Sequence, residues 1–548
     1  MARFRLPDRS PSRVLAATAV LTLTACGDPD ADGTSPADTG AATDGVSTDG
    51  GSAVTEATGD AETGDASDDS AADGAPGTDG GADDTADDSG GPDDPPPPSG
   101  DEPLPPGVGT GPTIYAAVDG DDANDGLTPD TAVRTLQHAI DLADPGTIIE
   151  VDAGEYDGFV VSDGDFGTAE QWILMRPRDD AAVTIRGSGD GPTIYFYADS
   201  CDEENELVSG DCSRAHVRLE GLHVQGSPDG GGDGNVIKID TPQVQLVKNR
   251  LCCSVADVIK NVRTADDTVI VGNEIWQDPA VVTPGSNAQG IDITGADRLR
   301  VVGNHLHDLG DVAAYAKGNA RETLFEGNLV VDTGLSGEGN AIMCGQSTDA
   351  DRLVDGDYET YDCTVRNNVI TRVSGACVAV GSSQGARVYN NTCVDTATSI
   401  HAALFLTNES EVGQASTDVE FRGNIVAQGT SPRVFTDTDE LGMTDWSTLI
   451  VDDNLYFVDG GAPVFTLKAT EIYDGGDFDA WTAALADLGA HGDGSAIADP
   501  LFVDSVRFEP TAASPAVDAM PCLVAWDFDA EPRPADGDVC DIGAIELE

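Results

Sequence analysis

Four charged residues recur at one place in a repeated pattern: Lys238, Lys260, Asp292 and Lys317. They precede Asn249, Asn273, Asn304 and Asn328 by 11, 13, 12 and 11 residues. Within one residue, then, they form a single column on consecutive repeats. Farther along, the same slots hold Met343 or Cys344, Ala379 or Val380, and Phe405 or Leu406, so the charge is confined to the first repeats. A lysine can hold an anion or, as the neutral amine, take a proton. Asp292, with nearby Asp257 or Asp240, offers the hard oxygens that calcium prefers. The plain alternative is a solvated sheet face. His305 and His307 flank Leu306 and so point the same way, but their place right after an asparagine suggests a structural or surface role. The turn Asp119 to Asp125 is acidic enough for calcium but lacks a full EF-hand pattern.

The elements that must carry this column are short strands. From residue 217 onward, alternating apolar residues lead into Gly-Asn or a variant and then more apolar residues, as in Thr268 to Ile275, Leu299 to Leu306 and Thr323 to Val330. The asparagine slot is also filled by Asn249, Asn368, Asn391, Asn424 and Asn454. The successive separations from Asn249 are 24, 31, 24, 40, 23, 33 and 30. A base period in the low twenties with insertions predicts stacked coils. One such unit cannot bury a core, whereas stacked units form a continuous apolar column flanked by parallel sheets. An asparagine at each corner can take unusual backbone angles, and repeated amides can bond one another up the stack.

A solenoid needs its ends covered. The strand Ile114 to Ala117 and an amphipathic helix Thr135 to Ala143, broken by Asp144-Pro145-Gly146, are expected to close the start. The boundaries implied are a leader at 1–26, a linker at 27–111, an all-β solenoid with its cap at 112–470 and a C-terminal capping module at 471–548.

Of 548 residues, 99 are acidic and 28 basic, a net charge of −71. Residues 27–111 hold 22 of the acids and no Lys, Arg or aromatic residue, so this stretch should stay extended. The remainder beyond it is also strongly acidic, which makes nucleic acid a poor partner. At the N-terminus, Arg3, Arg5, Arg9 and Arg13 precede the short apolar run Val14 to Leu23, the layout of an export signal. Ten cysteines follow Cys26, an even number that in an exported chain favours disulfides. Proximity suggests Cys201–Cys212 and Cys522–Cys540, with Cys344–Cys363 as a third pair.

Leu23-Thr24-Ala25-Cys26 resembles the lipobox of bacterial lipoproteins, which implies cleavage before Cys26 and lipid on it. The protein is then expected to be anchored at the cell surface or outer membrane, or to be extracellular, touching membrane only through lipid. The cap and the coil pattern, residues 112 to 470, resemble right-handed parallel β-helix proteins, among them pectate lyases of polysaccharide lyase family nine and the chondroitinase-B-like family six. Asp499 to Asp504, Ser514 to Asp518 and Asp541 to Glu546 resemble a module that often closes secreted β-helix proteins. The resemblance implies a lyase that removes the C5 proton of a uronic acid with a strand-borne lysine. Tyr315-Ala316-Lys317-Gly318 looks like the segment carrying it, with Lys238 and Lys260 binding the acidic polysaccharide and Asp240, Asp257 and Asp292 holding calcium. Three features depart from those families: consecutive aspartates near Asp257, glutamates before Lys317 and an arginine in the expected place after it are missing. The hydrolase motifs Asn-Thr-Asp and Gly-His-Gly, the Trp-Ile-Asp-His stretch of family one pectate lyases and the Asp-Pro-His segment of mannuronan epimerases are absent too. The expected protein is a monomeric lyase, or a non-catalytic surface solenoid for adhesion or glycan binding.

Overall fold

The computed structural model describes residues 102–547 apart from 202–211, 228–233, 279–281, 283–287, 337–338, 349–352, 354–355, 409–413, 439–443, 475–476, 493 and 535–538. Cys26, the lipobox and most of the linker lie outside the described residues. The chain winds through three twelve-stranded sheets, visiting each in turn. The first sheet runs from strand Thr113–Ala116 to Ile450–Asp452, the second from Gly154–Asp157 to Ala496–Ile497, and the third from Phe159–Val161 to Glu471–Asp474. Pairing is parallel throughout these sheets except at the end of the third, where Val464–Leu467 meets Glu471–Asp474 antiparallel. The protein is an all-β right-handed parallel β-helix.

Strands are short because each alternates between an inward apolar and an outward residue before the chain must turn. Inward positions stack in register: Ile237, Ile259, Ile291, Ala314, Ile342, Val378 and Leu404 follow one another up the third sheet, all buried in one continuous core. The corner between the first and second sheets holds the asparagines. Each Asn Nδ2 donates to the Oδ1 of the next, from Asn249 to Asn273 at 3.2 Å up to Asn424 to Asn454 at 2.9 Å. The backbone N–H of Asn249 donates to that same Oδ1 of Asn273, as do its successors up the stack. These side chains are fully buried, so each unmade bond would cost about 1–3 kcal/mol. The left-handed backbone sits one residue earlier than the asparagine itself. Lys248, Gly272, Gly303, Gly327, Asn367, Asn390, Gly423 and Asp453 all have positive φ, between 50° and 66°. That is why the pattern reads Gly-Asn at four of these corners, with Asn or Asp, which tolerate this region, at three more and Lys248 at the first.

At the start, helix Leu136–Asp141 is capped by Thr135 Oγ1, which accepts from His138 N at 3.2 Å, and buries Leu136, Ala139 and Ile140 on the first coil. At the far end, helix Phe478–Leu488 lays Trp481 against Phe465, with rings 4.2 Å apart, and closes the core. The last segment does something different from capping. Phe508, Ala516, Met520, Leu523, Val524, Ile542 and Ile545 fold back along the flank and pack on outward residues of the later coils, including Val369, Val394, Ile425 and Leu455. Cys201–Cys212, Cys344–Cys363 and Cys522–Cys540 are bonded, as are Cys377–Cys393 and the adjacent Cys252–Cys253, two pairs that spacing did not suggest.

Candidate functional site

The third sheet sets the charged column. Lys238 in strand Ile237–Asp240 pairs with Lys260 in Ile259–Asn261, which pairs with Asp292 in Ile291–Thr294. Their neighbours Ile237, Ile259 and Ile291 point into the core, so these three side chains point out. The next member is not Lys317. Asp292 pairs with Tyr315, and Lys317 pairs with Thr294, two residues along the same outward face. The sequence count went astray because the turn back to the first sheet varies in length. Lys238 precedes its coil's first-sheet residue Gln245 by seven positions, while Lys260 precedes Val269, the register mate of Gln245, by nine.

The charges are closely knit. Lys260 Nζ binds Asp292 Oδ2 and lies 3.8 Å from Asp257 Oδ2. Lys238 Nζ is 3.3 Å from Asp240 Oδ2, which also accepts from Tyr195 OH, and the ammonium lies 5.2 Å from the Tyr195 ring centre. Burial, and then the neighbouring Asp292 charge, push the Asp257 carboxyl well above the usual range, while Lys260 and Lys317 pull it back. Tyr315 is buried, donates to Gln289 Oε1 at 2.6 Å, and has its phenol pKa raised by burial and by Asp292. Lys317 Nζ lies 5.1 Å from the Tyr315 ring centre and, unlike Lys238 and Lys260, forms no ion pair among the described residues. Beside it, buried Glu359 accepts from Gly318 N and Thr348 N, both at 2.9 Å, and pins the adjoining loop.

Three carboxylates expected to hold calcium are therefore placed otherwise. Asp257 and Asp292 share the ammonium of Lys260, and Asp240 Oδ2 is engaged by Lys238 and Tyr195. A calcium ion needs six to eight oxygens around it. Here a lysine occupies the space between the two carboxylates, so this donor set does not fit the ion. Past Tyr315 the column turns apolar: Met343, Ala379 and Phe405 cluster with Tyr315, and His401 stacks on Phe405 at 4.2 Å.

A second outward cluster sits on the second sheet, and the sequence reading undervalued it. Glu274 pairs with His305 and Trp276 with His307 across adjacent coils. The rings of His223, Trp276 and His307 stack in a file, 5.9 and 5.6 Å apart, with the Arg250 guanidinium 5.1 Å from the Trp276 centre. His307 Nδ1 meets Asp308 Oδ2 at 2.8 Å and its Nε2 faces Glu274 Oε1 at 3.5 Å, while Arg250 Nε holds the other Glu274 oxygen at 2.6 Å. Burial, and then the neighbouring His307, lower His305 to about 4; hydrogen bonds from His307 and Arg250 lower Glu274 to about 2 despite partial burial. Ligand-capable atoms of Glu274, His305 and His307 all lie within 4.8 Å of one another. The signal was in the sequence: Glu274 and His305 each directly follow a ladder asparagine, which fixes them side by side.

A family model described as "Right handed beta helix region" matches residues 257–426. No curated protein matches the chain in sequence. Among solved structures, pectate lyase Pel9A is 13% identical over 81% of this chain and 98% of its own, with a TM-score of 0.47. The GH136 lacto-N-biosidase from Eubacterium ramulus is 12% identical over 71% of this chain and 68% of its own, at 0.43. The A-module of mannuronan C-5 epimerase AlgE6 from Azotobacter vinelandii is 11% identical over 67% of this chain and 94% of its own, at 0.41.

Proposed function

We propose that the protein is an exported, surface-held lyase of an acidic polysaccharide, with the charged face of the third sheet as its site and Lys317 as the base. The observation that carries this reading is the setting of Lys317. It projects outward from a strand fixed on both edges and has no ion-pair partner among the described residues. It lies one coil beyond Asp292, which ends the run of densely charged coils. In β-elimination, the neutral amine takes the C5 proton of a uronate. The electron pair left behind forms the C4–C5 double bond, and the glycosidic oxygen leaves C4 with its bonding electrons and is protonated from water. A base on a rigid strand is already positioned for that proton.

Lys238 and Lys260 have side chains about a quarter exposed, 27% and 26%, above carboxylates that are nearly covered. Their exposed ends can donate to a sugar carboxylate as well as to the aspartates they already pair with, and such donation stabilises the carbanion-like transition state. Tyr315 is unsuited to giving a proton, since it is buried and its hydroxyl is committed to Gln289. Its ring positions the Lys317 ammonium. Export and lipid attachment at Cys26 rest on the leader and lipobox pattern.

The test offers pectate, alginate and a glycosaminoglycan to the purified chain, with and without calcium, and follows unsaturated uronate absorbance. At least one should yield product, and Lys317→Ala should lower the rate by about 100-fold or more with an unchanged circular dichroism spectrum. Absence of unsaturated ends on every acidic glycan would remove the lyase reading. What would then stand is a non-catalytic solenoid for adhesion or glycan binding. That reading is favoured by the way lysines already neutralise the buried carboxylates, and it expects saturable glycan binding that Lys317→Ala leaves alone.

A further inference from the structure

We propose that Glu274, His305 and His307, on the outward face of the second sheet, form a binding site for one divalent transition metal, zinc foremost. The site is separate from the lyase face, which lies on the third sheet. Its backbone geometry is set by the fold. Parallel pairing places Glu274 beside His305, and one strand places His305 and His307 on the same side with Leu306 buried between them. The ligand atoms already lie within 4.8 Å of each other, a spread that one ion could close to bonding distance by side-chain rotation.

The outer contacts are those a metal site needs. Asp308, held in a left-handed conformation with φ 52°, puts its carboxylate on His307 Nδ1 and leaves Nε2 as the atom facing Glu274. Such a carboxylate fixes the ring tautomer and raises the basicity of the ligating nitrogen. The stacked Trp276, tilted only 5° from His307, holds the ring plane, and Arg250 fixes the second oxygen of Glu274. Two imidazoles and a carboxylate favour zinc or its first-row neighbours over calcium or magnesium, which prefer all-oxygen shells. Three protein ligands leave a fourth tetrahedral position for water or an oxygen of a ligand. All three residues are partly exposed.

The acidic surface will gather cations loosely, so the test must report nitrogen ligation. The purified full-length chain is titrated with Zn²⁺ and, separately, with Co²⁺ as a visible probe. The expected result is one tight equivalent and the stronger visible absorption of a tetrahedral cobalt site. His305→Gln or His307→Gln should weaken zinc binding by about 10-fold or more, with Asp308→Asn giving a smaller drop through the orientation of His307. Asp240→Asn, on the other sheet, should leave it unchanged. Weak octahedral cobalt absorption alone, or zinc affinity unaffected by both histidine changes, overturns the proposal. If those variants do not fold, the unaltered chain is treated with diethyl pyrocarbonate with and without Zn²⁺ and mapped by peptide mass. Zinc should protect His305 and His307, and equal labelling in both arms overturns the site.

Discussion

The coils before Asn328 and those after it share one core and one asparagine ladder, yet their outer faces differ. On the third sheet the outward column runs Lys238, Lys260, Asp292, Tyr315, and then Met343, Ala379, Phe405. On the second sheet the position after each asparagine runs Arg250, Glu274, His305, and then Leu329, Val369. Both columns change from polar to apolar within about one coil. The later coils carry the folded-back tail on their second-sheet flank and the packed Met343–Phe405 cluster on their third. The earlier coils carry both charged clusters instead. Inward positions must satisfy packing everywhere, whereas outward ones are free to hold chemistry only where nothing else is docked.

Three experiments break or sharpen that contrast. Ending the chain at Ala498 should hurt most. It bares Val369, Val394, Ile425 and Leu455, each contributing about 1.5–3 kcal/mol when fully covered, so a loss of roughly 6–12 kcal/mol or outright aggregation is expected in denaturant melts. Undiminished stability would mean that the later coils do not depend on their cover. Next comes Lys260→Met, in the bare half. Removing the shared ammonium leaves Asp257 and Asp292 buried side by side, a cost of about 3 kcal/mol that Asp292→Asn in the same chain should largely relieve. If the double variant is no better than the single one, the lysine is not neutralising that pair.

The smallest effect is on pH dependence. The folded-state pKa of Asp257 is raised, so the folded chain binds more protons than the unfolded one between the unfolded carboxyl value, about 4, and the raised value. Stability from this group is therefore full at the acid side of that window and declines as pH rises through it, by at most about 1.4 kcal/mol per pH unit. Asp292→Asn removes the second-largest cause of the shift, after burial, and should narrow the window. If the unaltered protein shows no carboxyl infrared band that titrates above the ordinary carboxylate range and disappears in Asp257→Asn, this placement is wrong.

The solenoid was legible in the sequence because a buried amide at a fixed corner leaves an unmistakable period, even through loops of varied length. The start helix was also legible, to within a residue or two at each end, from Thr135 and the Asp144-Pro145-Gly146 break. What misled was distance from the marker. Counting eleven to thirteen residues back from an asparagine crosses a turn of variable length, so Lys317 was assigned to the slot that Tyr315 fills. Counting one and three residues forward crosses no turn at all, and that shorter step would have assembled Glu274, His305 and His307. The Cys252–Cys253 bond and the path of the tail left no such trace, since neither follows from the period.

The amide ladder has a consequence for how such a chain can change. Successive rungs are joined across gaps of 23 to 40 residues with bonds of nearly equal length. Alignment is thus enforced at one edge, and the other two corners are released from any duty to keep count. Whole loops can be grafted or trimmed there while neighbouring turns stay in phase, so the surface can be rewritten without reopening the interior.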